Sequence, residues 1–227
     1  MIWMFSRKIF LPCILLFSNV YAEAQPLENW MSFRIAKKLT HKFAMSVEYM
    51  PRFTGFFDKE QLWLLRPDIK YNVNNNLELG IGYAYFETSQ ETFYSKENRF
   101  YIQANYRKNI GPFNTMNRLR IEQRYFDEHA NLSSNLRVRF QINLIKKLLA
   151  LNKQSDLSLI FGDEIMYNSR ENAVGSHFDQ NRIHLGFQCA IGQKLKVSPF
   201  YQFTQQESFS GKDRFISALR VNTIYSF

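Results

Sequence analysis

Arg118-Leu119-Arg120-Ile121-Glu122-Gln123-Arg124-Tyr125 and Leu136-Arg137-Val138-Arg139-Phe140-Gln141-Ile142-Asn143-Leu144 are two alternating runs joined by a polar connection, Asp127 to Ser134. A period of two puts successive side chains on opposite faces of a strand, so one face of this hairpin is charged and the other nearly apolar. A half-buried strand of a soluble sandwich alternates too, but its polar face is free to carry Lys, Thr and Ser. Here that face is a dense row of Arg with one Glu. Adjacent guanidiniums repel unless carboxylates or enclosed water answer them, which points to an interior charged face and an exterior apolar one.

The same pattern recurs on both sides of this hairpin. Phe43, Met45, Val47 and Tyr49 oppose Ser46, Glu48 and Arg52. Trp63, Leu65, Ile69 and Tyr71 oppose Arg66, Asp68 and Lys70, ending in the turn signature Asn74-Asn75-Asn76. Leu77, Leu79, Ile81, Tyr83 and Tyr85 oppose Glu78, Gly80, Gly82 and Ala84, whose small size leaves room for long side chains from neighbouring strands. Phe100, Ile102, Ala104 and Tyr106 oppose Arg99, Tyr101, Gln103 and Asn105, with Gly111 and Pro112 turning the chain. Beyond the central hairpin, Lys146 to Asp156 holds a helix-like patch, Leu148 to Leu151, read as a turn. Leu157, Leu159, Phe161, Ile165 and Tyr167 continue the outer face, where Asp163 intrudes; Gly162 beside it points to a bulge or the bilayer boundary. Ile183 to Ile191, Leu195 to Phe203 and Phe215 to Phe227 complete the set.

Strands of roughly 10 to 13 residues suffice to cross a bilayer when tilted. The expected fold is all-β: an antiparallel transmembrane β-barrel of ten strands, with twelve as the alternative. Short turns face the periplasm and longer loops the exterior, including Glu87 to Lys96, Asp127 to Ser134 and Asn168 to His177. Both termini are expected in the periplasm, which requires an even count, so the weakly alternating Trp30 to Ala36 is assigned as a short extra or lumen-entering strand. Tyr71, Tyr83, Tyr85, Tyr106, Tyr125, Tyr167 and Tyr201 fit interface girdles. Tyr225 and Phe227 form the terminal aromatic signal by which such barrels are recognised for assembly.

Composition agrees. Aromatic residues make up 16% of 227 residues against 9 Gly, and the mean hydropathy of −0.34 is what alternating lipid-facing and lumen-facing residues average to. Arg7 and Lys8 followed by the apolar run Ile9 to Phe17 and by Val20-Tyr21-Ala22 read as a secretory signal, too short for a spanning helix. Residues 1–22 are therefore assigned to the signal, with cleavage after Ala24 as the alternative, and 23–227 to the barrel. The context of Cys13 lacks the small residues of a lipoprotein site. Removal of the signal leaves Cys189 alone and no disulfide. It also lowers the net charge from +9 to +7. Because most of the Arg falls on strand interiors, the excess belongs to the lumen and does not indicate nucleic acid.

The runs Asn98-Arg99-Phe100, Arg118 to Arg124, Leu136-Arg137-Val138-Arg139, Gly162-Asp163-Glu164-Ile165 and Asp179-Gln180-Asn181-Arg182 occur in an order that resembles the bacterial outer-membrane family termed domain of unknown function 2490. The resemblance spans nearly the whole chain after the signal and implies a single barrel in the outer membrane of a Gram-negative cell. It brings no activity with it.

The candidate site is a lumen charge network of Arg99, Arg118, Arg120, Glu122, Arg124, Arg137, Arg139, Glu164, Arg182 and Arg220. Strand directions put Arg99, Arg124, Arg137, Arg139, Glu164 and Arg182 at similar heights in the extracellular half. One reading is a salt-bridge network that fills a narrow barrel, since buried charges must be paired. The other is an anion-attracting constriction, kept open because these guanidiniums outnumber the carboxylates. A third class, a lipid-modifying enzyme at the rim, has only Ser176 beside His177, and His129 beside Asp127 and Glu128, as local pairings; His184 is expected to face inward within the network. A closed barrel serving as an interaction or assembly partner is a further alternative. No metal-ligand spacing, phosphate-binding loop or heptad pattern occurs, so neither metal nor cofactor is expected. The expected partners are outer-membrane lipids and the barrel assembly machinery, engaged by a monomer.

Overall fold

The computed structural model describes residues 27–55, 57–90, 93–128, 131–152, 154–170, 176–207 and 213–227. The signal segment 1–22, Cys13, Ala24 and His129 lie outside them. The described chain is entirely strand and turn: β1 (Glu28–Lys38), β2 (Phe43–Thr54), β3 (Lys59–Asn72), β4 (Leu77–Gln90), β5 (Phe93–Ile110), β6 (Phe113–Glu128), β7 (Asn131–Asn152), β8 (Ser155–Asn168), β9 (Phe178–Ile191), β10 (Leu195–Glu207) and β11 (Asp213–Ser226). Each strand pairs with the next, and β1 pairs with β11 to close the barrel.

Among the described residues the barrel has eleven strands and not ten or twelve. Sequential neighbours are antiparallel, but β1 runs parallel to β11, from Glu28 beside Ala218 to Ala36 beside Ser226. The segment assigned as a short extra or lumen-entering strand is thus an extra strand of the wall, and longer than expected. Its two ladders, to β11 and to β2, satisfy backbone groups that a strand loose in the lumen would leave unpaired. Parallel closure also removes the argument for an even count, because β1 starts at the end where β11 starts and β11 finishes at the other. The end of the β1–β11 seam is closed by Phe227 N–H to Ala36 C=O at 3.0 Å.

Turn chemistry sets one end. Asn74 Oδ1 accepts the Asn76 and Leu77 amides, both at 2.9 Å, as an Asn-initiated turn requires. Gly111 and Gly192 supply positive φ in the β5–β6 and β9–β10 turns at this end. At the opposite end the strands lengthen. Two stretches expected as loops, Glu87 to Lys96 and Asp127 to Ser134, are ladders up to Gln90 and Glu128 and from Phe93 and Asn131. The asymmetry between the ends therefore lies as much in strand length as in loop length.

Two further expectations change. Lys146 to Asn152 is not a turn with helical character: β7 continues through it, with register shifts against β8 between Lys147 and Leu149 and between Ala150 and Asn152. Each shift breaks the period of two, which is why consecutive Leu148 and Leu149 read as helical. At Gly162 and Asp163 no bulge forms; pairing is continuous on both sides. Asp163 stays on the outer face, where Asn181 Nδ2 donates to it at 2.7 Å.

The exterior carries the apolar residues. Val47, Leu65, Ile81, Phe100, Ile102, Leu119, Phe140, Phe161, Leu185 and Leu219 all stand exposed. A soluble barrel would turn this face inward; such a belt is stable against hydrocarbon. Aromatic pairs stitch it, including Trp63 with Tyr85 at 5.3 Å and Tyr83 with Phe100 at 5.2 Å between centroids. The interior is largely polar, with two apolar clusters among the described residues: Met50, Leu64, Ala84, Phe86 and Tyr101, and Trp30 with Ile216 and Ala218. The small inward residues do admit long neighbours: a Cβ on Gly82 would lie 2.4 Å from the Tyr101 ring, and one on Gly80 would lie 3.0 Å from Gln103.

Candidate functional site: the charged lumen

Because β5 to β9 are neighbours with inward-facing residues in step, their charged side chains meet across the lumen. Glu122 is the hub. Its Oε2 accepts Arg137 Nε at 2.9 Å and Nη2 at 2.6 Å, and its Oε1 accepts Arg139 Nη1 at 2.8 Å and Arg120 Nη1 at 3.5 Å. Arg99 Nη1 lies 4.0 Å away. Arg137 spans onward to Asp179 Oδ2 at 2.9 Å, and Arg139 to Glu164 at 2.9 Å. Glu164 also takes Arg118 at 2.7 Å, with Arg182 at 3.9 Å. Glu97 holds Arg99 at 2.6 Å and Arg124 at 2.5 Å. Gln103 Oε1 accepts both Nε and Nη2 of Arg120.

The structure thus brings together nine of the ten candidate residues. The forked donors of Arg suit this work, because each guanidinium can bridge two acceptors in fixed geometry. At the hub the packing is complete: Arg120 and Glu122 are 1% exposed and Arg137 is 2% exposed. Arg220 is the exception. Its Nε and Nη1 go to Asn222 and Gln202, and no carboxylate among the described residues lies within ion-pair distance.

A second cluster was not anticipated as a site. Glu48 accepts Ser32 at 2.6 Å and Arg66 at 2.5 Å, and it pairs closely with Arg34; Ser46 donates to Asp68. Two further carboxylates, Glu97 and Asp179, were also missed. Of the inward aromatic rings, Tyr101 was expected on the polar face, but the roles of Phe86 and Trp30 there were overlooked. Arg99 stacks over Phe86 at 3.6 Å, Arg120 over Tyr101 at 4.2 Å and Arg52 over Trp30 at 3.8 Å. The unbroken apolar run Leu62-Trp63-Leu64-Leu65 was the available signal that the lumen holds apolar side chains, because it leaves no polar face.

His184 faces inward as expected, with its Nε2 3.0 Å from Asn143 Oδ1. It joins the polar filling, and its ring packs against Phe200 with 4.9 Å between centroids. At the rim, Ser176 Oγ donates to Glu207 at 3.1 Å, and His177 Nδ1 lies 3.0 Å from the Asn168 carbonyl. Among the described residues no group of His, Cys, Asp and Glu has the geometry of a metal site.

A closed barrel, apolar outside and packed with paired charges inside, defines a membrane β-barrel of the outer-membrane type. The chain belongs to the family described as protein of unknown function (DUF2490), whose model matches residues 27–215. No curated protein matches the sequence. Among solved structures, the chain is similar to LpxR from Salmonella typhimurium (10% identity, TM-score 0.48, covering 80% of this chain and 83% of that one). It is also similar to the beta domain of the Bordetella autotransporter BrkA (7% identity, TM-score 0.46, covering 78% of each). The siderophore receptor PirA from Pseudomonas aeruginosa aligns at 10% identity and TM-score 0.32, over 74% of this chain and 32% of that one.

Proposed function

We propose that this chain is a bacterial outer-membrane barrel whose lumen is sealed at its midsection, so that its basic interior holds small anions without passing them freely. The observation that carries this reading is the Glu122 hub. Arg120 and Arg137 both pair with Glu122, all three are nearly inaccessible to solvent, and the Met50, Leu64 and Phe86 cluster fills further space. A water-filled anion constriction needs guanidiniums that face water; these face carboxylates. In this reading segment 1–22 directs export, the exposed Tyr225 and Phe227 present the assembly signal, the apolar belt contacts lipid, and the protein works as a monomer.

Vesicles containing the refolded protein and entrapped chloride test the sealing. The expected result is leakage no faster than from protein-free vesicles. Chloride efflux that scales with the amount of folded protein would restore the open-pore reading.

A further inference from the structure

We propose that the lumen contains a binding site for a small oxyanion, a carboxylate or phosphate group, between Arg52, Arg182 and Arg220 beside the Trp30 indole. This deepens the reading above by naming a ligand class, and it requires no flow through the barrel.

Three guanidiniums surround one ring. Arg52, Arg182 and Arg220 lie 3.8, 5.6 and 5.8 Å from the Trp30 centroid. Elsewhere in the lumen such crowding is answered by carboxylates. Here neither Arg52 nor Arg220 has a carboxylate within ion-pair distance among the described residues, and Arg52 Nε is buried with no hydrogen-bond partner. Arg182 comes no nearer to Glu164 than 3.9 Å, and Glu164 is already bonded to Arg118 and Arg139. Glu28, two residues along β1, is engaged by Trp30 Nε1 at 2.7 Å and lies 3.6 Å from Arg214. A ring face attracts a cation, but one indole does not offset the mutual repulsion of three. An oxyanion would, and it would accept the fork of Arg52 together with the nitrogens left over on Arg182 and Arg220, whose other donors go to Gln180, Asn222 and Gln202. All three arginines are partly exposed, so a solute in the lumen reaches them, whereas the hub below is closed.

Trp30 is its own reporter. Replacing Trp3 and Trp63 by Phe leaves it as the sole indole. Folded protein in zwitterionic detergent is titrated with inorganic phosphate and, separately, with succinate. A saturable change in Trp30 emission is expected, weakened about tenfold or more by Arg52→Gln or Arg220→Gln through loss of charge-assisted hydrogen bonds. It should be unaffected by Arg107→Gln, whose side chain is 45% exposed and near Glu78. Parallel measurements in phosphatidylcholine vesicles, with and without phosphatidylglycerol, identify the source. A response to added phosphate in phosphatidylcholine alone assigns a free solute. A response that appears only with phosphatidylglycerol and is lost in Arg52→Gln assigns a lipid headgroup. No response in any arm, or one equally strong in the Arg52 and Arg220 variants, overturns the site. Leaky vesicles with binding intact would overturn only the sealed barrel, and tight vesicles without binding only the site.

Discussion

Glu122 meets more guanidiniums than any other carboxylate among the described residues, its two oxygens anchoring Arg120, Arg137 and Arg139. Removing one member of a buried ion network strands its partners without counter-charge, which costs about 3–5 kcal/mol. Glu122→Ala is therefore expected to lose that much stability in denaturant unfolding of the refolded barrel. Arg107→Gln, whose side chain is exposed 3.9 Å from a Glu78 that Lys70 also pairs with, should lose less than about 1 kcal/mol. Equal losses in the two variants would show that the hub is not the keystone. The network was legible because Arg at every second position of two adjacent runs suits an interior charged face and little else. Glu97 and Asp179 were not legible as its partners, because they lie near strand ends bordering stretches that read as loops. Trp30 was hidden for a different reason: an aromatic in a membrane strand is expected to face lipid, and this one faces three arginines.

Among the elements, ten strands were legible from alternation, and the eleventh was not. In β1 the inward residues are Glu28, Trp30, Ser32 and Arg34, so an apolar ring sits in the polar series and Asn29 in the apolar one. The pattern reads as half a strand. Its pairing has a direct test. Phe33 and Thr223 are Cα partners in the parallel ladder, close enough for a disulfide. With Cys13 and Cys189 replaced by Ser, a chain carrying Phe33→Cys and Thr223→Cys should cross-link on oxidation and change its gel mobility. No cross-link in folded protein would put β1 elsewhere. The extension of β7 was not legible because its bulges erase the period of two, and Asp163 misled because an acidic residue beside a glycine has the look of a strand defect. Its Asn181 partner lies across the next strand, a contact that depends on register.

For the barrel as a whole, alternation revealed which way it faces but not whether it is open. Counting inward residues in a sequence does not show whether they interdigitate. The dense interior packing arises from register, which sets Tyr101 against Gly82 and Gln103 against Gly80, and from the fit of Arg to Glu across β5 to β9. Whether this packing seals the lumen is decided by single-channel recording of refolded protein in a planar bilayer under a salt gradient. A quiet membrane, with folded protein shown to be inserted, is the expected result; stable stepwise openings with a measurable ion preference would contradict it.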